Sequence, residues 1–244
     1  MENKLVYKAD TRGHANHGWL DTYHTFSFAN YYNPERIQFG ALRVLNDDTV
    51  AAGTGFGRHP HDNMEIISIP LEGALEHKDS MGNLQIIQAG DIQVMSAGTG
   101  IFHSEYNRNK DKEGKFLQIW IFPNKMNVKP RYDQITLNPA DRVNKLQQIV
   151  SPNPDDAGVW IYQNAWFYLG KFDKGKQTDY KIKLKGNGLF CFVLSGKVNI
   201  DGDLLGLRDA VGIQNQDSVS IKSESDNSEI LLMDVPMTFP LSGE

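Results

Sequence analysis

The feature that most restricts the fold is the spacing of the apolar residues. Short runs rich in β-branched and aromatic side chains recur at 37–45, 64–70, 84–88, 92–95, 116–122, 159–169, 189–194, 218–222 and 229–235. Gly, Asn, Asp or Pro separates them. Such runs at regular intervals predict an all-β architecture of sandwiches or barrels. Turn chemistry agrees, since Asp79-Ser80-Met81-Gly82-Asn83 and Asp201-Gly202-Asp203 have the residues of hairpin tips. Helical periodicity is scarce. Its one clear instance is 139–149, where Val143, Leu146 and Ile149 recur every three residues and predict a short linker helix. That stretch is followed by Ser151-Pro152-Asn153-Pro154-Asp155-Asp156, which suits turns and not ladders. The predicted organisation is an N-terminal domain over 1–130, a linker region over 131–156 and a C-terminal domain over 157–244. A faint repeat supports two related β units. Ile69-Pro70-Leu71-Glu72-Gly73 followed by Gly90-Asp91-Ile92 is matched by Phe192-Val193-Leu194-Ser195-Gly196 followed by Arg208-Asp209-Ala210.

Composition narrows the class. With 244 residues, 40% hydrophobic and 23% charged, the chain has enough apolar material for real cores. Its 25 basic residues against 30 acidic ones give a net charge of −5 with no basic block, which argues against direct nucleic-acid binding. The longest apolar run, 189–194, is six residues. A membrane span needs about 20, so none is predicted. Met1-Glu2-Asn3-Lys4 opens no apolar signal core, and the single Cys191 has no intrachain partner for a disulfide. Both point to a cytoplasmic protein.

The chemistry concentrates in the first half. All seven histidines lie at or before residue 103. In His59-Pro60-His61, residues i and i+2 of a strand project two imidazoles to one face, as two neighbouring ligands of a metal require. His103-Ser104-Glu105 repeats the spacing with an imidazole and a carboxylate. Three neutral imidazoles and a carboxylate suit Fe, Mn, Co, Ni, Cu or Zn, and on an octahedral ion they leave open positions for chemistry. Glu65 shares the strand parity of His61 and is a rival fourth ligand. The remaining histidines read as structural. His14 and His17 are solvated or hydrogen-bonded in a loop, His24 is partly buried and satisfied, and His77 faces solvent. Phe56, Met64, Trp120 and Phe122 are expected around the same cavity, with Trp120 and Phe122 on one strand face, forming a pocket for a flat organic ligand. Cys191 sits in an apolar strand and reads as inert.

Five segments resemble the pirin family of bicupins. They are Arg12-Gly13-His14-Ala15-Asn16-His17-Gly18-Trp19-Leu20, the run from His24 to Tyr32, Gly55-Phe56-Gly57-Arg58-His59-Pro60-His61, the stretch from Leu71 to Asn83, and the run from Ala97 to Glu105. The resemblance is strong over about the first 125 residues. Beyond them, the chain resembles the shorter metal-free cupin of bacterial pirin-like proteins. Two stacked cupin barrels are implied. So is one divalent transition metal per chain, most commonly iron, held by His59, His61, His103 and Glu105, with Glu65 excluded. Members of the family include quercetin 2,3-dioxygenases, which open the flavonol ring with O₂ and release carbon monoxide. Glu105 would then double as catalytic base. Members can also bind transcriptional regulators, so the alternative expectations are a non-catalytic, metal- or redox-dependent regulator with a protein partner, or a cupin enzyme with a different small-molecule substrate.

Overall fold

The structure is a computed structural model and describes residues 3–239. In chain order its strands begin with β1 (Lys4–Tyr7), β2 (Gly13–Asn16), β3 (Leu20–His24), β4 (Leu42–Val50), β5 (Gly55–His61) and β6 (Glu65–Glu72). They continue with β7 (Ala74–Asp79), β8 (Leu84–Gln88), β9 (Asp91–Ser96), β10 (Ile101–Asn107), β11 (Gly114–Ile121) and β12 (Arg131–Thr136). The second half adds β13 (Leu146–Ser151), β14 (Val159–Trp160), β15 (Trp166–Phe172), β16 (Gln177–Lys181) and β17 (Asn187–Ser195). It closes with β18 (Val198–Ile200), β19 (Asp203–Leu205), β20 (Ala210–Ile213), β21 (Ser218–Ser223) and β22 (Ser228–Pro236).

Each half is a seven-stranded sheet facing a four-stranded one. The first pair is β12-β9-β6-β11-β4-β3-β2 over β5-β10-β7-β8. The second is β1-β20-β17-β22-β15-β13-β14 over β16-β21-β18-β19. From β4 to β11 and from β15 to β22 the two orders correspond strand for strand across both sheets, which makes the faint sequence repeat physical. At matching corners, where the chain passes from the large sheet to the small one, it turns on Gly73 and Gly196, with φ of 79° and 77°, where a side chain would be strained. Both predicted tips, 79–83 and 201–203, join consecutive antiparallel strands.

The continuous apolar runs have a simple cause. The two large sheets pack back to back, so their central strands are buried on both faces. In β17, Phe190, Phe192 and Leu194 enter a core shared with Leu45, Ile67 and Ile119 of the first half. The alternate Leu189, Cys191 and Val193 fill the second barrel. Phe190 anchors the shared core, with ring centroids 5.2 Å from Tyr7 and 5.4 Å from both Phe26 and Phe39. Offset aromatic contacts of this kind add about 0.5–1.5 kcal/mol each to the area they bury.

Two details of the predicted organisation change. The helix over 139–149 is a single 3-10 turn, Pro139–Arg142. Asn144 then takes a left-handed φ of 56°, which stops a helix, and the chain enters β13. The stretch 131–156 carries two strands, with β12 pairing β9 in the first half and β13 pairing β15 in the second. The other end of the chain crosses over as well, since β1 pairs β20 and so lies in the second barrel's sheet. Among the described residues no helix is long and apolar enough to cross a membrane.

Candidate metal centre

β5 and β10 are antiparallel neighbours, with His59 opposite His103 and His61 opposite Ile101. Strand alternation turns His59, His61 and His103 into the first barrel. Their ring centroids lie 4.4 Å (His59–His103), 4.9 Å (His59–His61) and 4.9 Å (His61–His103) apart. Each offers a nitrogen within 4.8 Å of the other two. Past His103 the ladder slips and brings Glu105 opposite Phe56. Gly55 permits the close approach there, because a Cβ would stand 2.2 Å from the Glu105 carbonyl oxygen. The slip leaves the Gly57 carbonyl free to accept from His59 Nδ1 at 2.7 Å. That bond leaves the Nε2 lone pair of His59 for a cation and fixes the ring, the arrangement metal-binding imidazoles need.

Burial sets the charge state. Loss of solvent, and then His59, push His61 down to about 4. Burial, followed by His59, His61 and His77, holds His103 far below the ordinary histidine value. Both rings are therefore neutral at pH 7 and keep their lone pairs. Among the described residues neither ring nitrogen of the buried His103 has a hydrogen-bond partner. Leaving such groups unsatisfied costs about 1–3 kcal/mol each, and a divalent ion on one nitrogen relieves part of that cost. The donor set fits a first-row transition metal.

Glu105 is 2% exposed. Ser68 Oγ donates to its Oε1 at 3.2 Å, and Gln118 Nε2 to its Oε2 at 2.9 Å. Burial raises its carboxyl to about 7 against those two hydrogen bonds. It stands with His103 and His77 in a second group of donors mutually within 4.8 Å. His77 corrects the sequence expectation of a solvent-facing residue, because it is fully buried. Its neighbours Glu76 and Lys78 face outward, so alternation places the imidazole inside, 3.4 Å from Asp79 and against the Tyr132 ring.

The other expected residues separate cleanly. His24 is buried and meets Asn46 Oδ1 through Nδ1 at 2.9 Å. His14 lies on β2, not in a loop, 2.6 Å from Asp21. Glu65 points away from the imidazoles and accepts from Ser96 Oγ at 2.7 Å. Cys191 is buried, and burial raises its thiol.

A cavity of about 280 Å³ opens over the imidazoles. Phe56 and Trp120 line it, with the Trp120 ring 4.9 Å from His61. Met64 and Phe122 do not. Met64 precedes β6 and packs on Ile66, Met95, Ala97 and Ile101. Phe122 lies just past the end of β11, where Pro123 follows, and it stacks on Phe239. The wall opposite the imidazoles comes instead from Thr22 and His24 on β3 and Asn46 and Asp48 on β4. Sequence reasoning read His24 as structural and passed over Thr22, Asn46 and Asp48. Their signal is polar residues two apart, 22/24 and 46/48, on one face of each strand. Asp48 is buried and accepts from Thr22 Oγ1. Burial pushes its carboxyl up to about 7.

Comparison with known proteins follows the same outline. The pirin profile matches residues 6–121, and one described as the quercetinase C-terminal cupin domain matches residues 148–235. A protein of Escherichia coli K12 named quercetin 2,3-dioxygenase is 45% identical over 234 residues, covering 95% of this chain and 99% of that one. The chain belongs to the pirin family. The crystal structure of the bacterial pirin YhhW from E. coli in complex with nickel(II) superposes with a TM-score of 0.91 at 42% identity, covering 96% of this chain and all of that one. The E. coli protein YhaK superposes with a TM-score of 0.73 at 27% identity over 92% of this chain and 98% of that one. As in other pirins, both halves are cupin domains, and the predicted all-β bicupin holds.

Proposed function

We propose that this pirin is a metal-dependent dioxygenase that opens the flavonol ring of quercetin-like substrates with O₂ and releases carbon monoxide. The observation that carries the reading is the convergence of three imidazoles, two of them held neutral, under a cavity with aromatic walls. The name borne by the 45% identical E. coli protein supports it.

His59, His61 and His103 would hold the ion, with Glu105 as the fourth donor and iron as the expected occupant. When bound, such an ion supplies Lewis acidity toward the flavonol 3-hydroxyl and a common meeting point for substrate and O₂. The chain's own residues do the rest. Glu105 accepts the 3-hydroxyl proton on Oε1 or Oε2, and burial keeps its carboxyl near neutrality, where a general base works well. Ser68 and Gln118 aim that carboxylate. Phe56 and Trp120 flank the flat rings and exclude water.

The test is an aerobic assay with quercetin on protein loaded separately with Fe, Mn, Co, Ni and Cu. Loss of the flavonol absorbance with release of CO is expected for at least one metal. Glu105→Gln should lower kcat by about a hundredfold or more. Loaded protein that leaves quercetin intact with every metal would overturn the reading.

A further inference from the structure

The geometry points to Asp48, backed by Thr22, as the acceptor for a substrate hydroxyl at the end of the cavity away from the imidazoles. The pocket then selects flat phenols that carry a hydroxyl at that end. This assignment rests on the dioxygenase reading for which bond is broken, but its own content is what the cavity binds.

Strand register gives the layout. Along β11 the inward residues are Trp120, Gln118 and Phe116, spaced about 6.6 Å apart at 3.3 Å per residue. Trp120 meets His61. Gln118 pairs with Asn46 and holds Glu105. Phe116 pairs with Asp48, which in turn pairs with Thr22. Asp48 thus stands two steps, about 13 Å along the strand, from the level of Trp120. Leu20, Phe56 and Phe116 form an apolar cluster at this end.

The carboxylate is poorly supplied there. Two oxygens offer about four acceptor positions, and Thr22 Oγ1 is the one donor to them among the described residues. The neighbouring Asp47 is no parallel case, because it is tied to Arg12 at 3.2 Å and to Arg208 at 2.8 Å. No cation pairs with Asp48 among the described residues, although it lines an open cavity. A buried acceptor short of donors favours a ligand that brings one. A phenolic hydroxyl does so, and Leu20 and Phe56 take the ring that carries it. A ligand ending in a carboxylate is disfavoured, since Asp48 and Glu105 line the same cavity.

The experiment compares quercetin with 3-hydroxyflavone, which shares the reacting ring and lacks the outer hydroxyls. Kd is read from quenching of tryptophan fluorescence under anaerobic conditions, on metal-loaded wild type, Asp48→Asn and Thr22→Val. Wild type should bind quercetin about tenfold tighter, with Asp48→Asn bringing the ratio to within about twofold. Thr22→Val, which keeps the shape of the side chain, should move the ratio the same way by about threefold. It also serves as the readout if Asp48→Asn fails to fold. A ratio that is the same in wild type and the folded variants overturns the assignment. Aerobic turnover separates the two claims. Flavonols consumed while the ratio ignores Asp48 leave the dioxygenase reading and remove this one. A ratio that depends on Asp48 without turnover does the reverse.

Discussion

Five residues before Gly73 stands Ser68, and five before Gly196 stands Cys191. From Ser68 the register runs through Gln93 on one side and Gln118, Asn46 and His24 on the other. From Cys191 the same walk meets Val211, then Leu232, Tyr168 and Gln148. One rung is polar almost throughout, and its equivalent is mostly apolar. The small sheets repeat the contrast. His59 faces His103 across β5 and β10, whereas Tyr180 faces Val219 across β16 and β21. Ile182, just past β16, and Ile221 on β21 are further apolar residues of the second interior. The second barrel therefore has a packed apolar interior of Tyr180, Val219, Ile221 and their neighbours. The first keeps a cavity and unsatisfied imidazole nitrogens. The same backbone supports both solutions, so chemistry in this fold is a matter of which side chains fill the barrel.

The largest expected difference follows from substituting one inward residue in the matching strand of each small sheet. His103→Ala should lower metal affinity at least a hundredfold, read as metal per chain after dialysis. Val219→Ala should leave metal content intact and cost about 2 kcal/mol in urea denaturation through the cavity it creates. Equal metal loss in both would break the comparison. A smaller effect is expected on the matched rung. Cys191→Ser places a hydroxyl in the apolar interior without a natural partner and should destabilise by about 1–3 kcal/mol. Little or no loss would mean that the second barrel tolerates polarity and is not sealed.

The smallest effect concerns pH. Burial raises Glu65 from 4.5 to about 7, so the folded state binds a proton there that the unfolded chain has released. Stability then falls as pH rises from about 4.5 through 7, the direction linkage requires when the native state binds more protons. Glu65→Gln should remove that fall. Its Tm relative to wild type should rise at pH 8 and match it near pH 4.5, measured by calorimetry. A parallel offset at both pH values would show that the carboxyl's titration is not responsible.

Much of this was legible in the sequence because a strand has a period of two. That rule alone puts His59 and His61 on one face; bringing His103 to them takes the pairing of β5 with β10. The rule also held for His77, where outward Glu76 and Lys78 imply an inward imidazole, although charged neighbours suggest solvent. It failed for Phe122, because β11 ends at Ile121 and the period of two does not carry past the end of a strand. Val143, Leu146 and Ile149 show the other limit. Spacing by three resembles a helical face, yet Pro139 and left-handed Asn144 confine the helix to one turn, and Val143 is exposed. Asp48 and Thr22 were passed over because a carboxylate in a β-run reads as a surface residue until both neighbouring strands are in place.

The crossing of β1 onto β20 has a consequence for how the molecule is made. Residues 4–7 leave the ribosome well before residues 210–213, against which they rest. The second barrel completes that ladder only once the chain has closed back on residues 4–7. A cut between the two barrels would strip one half of a strand and leave the other carrying an orphan, so β1 clasps the halves together and they do not come apart as modules.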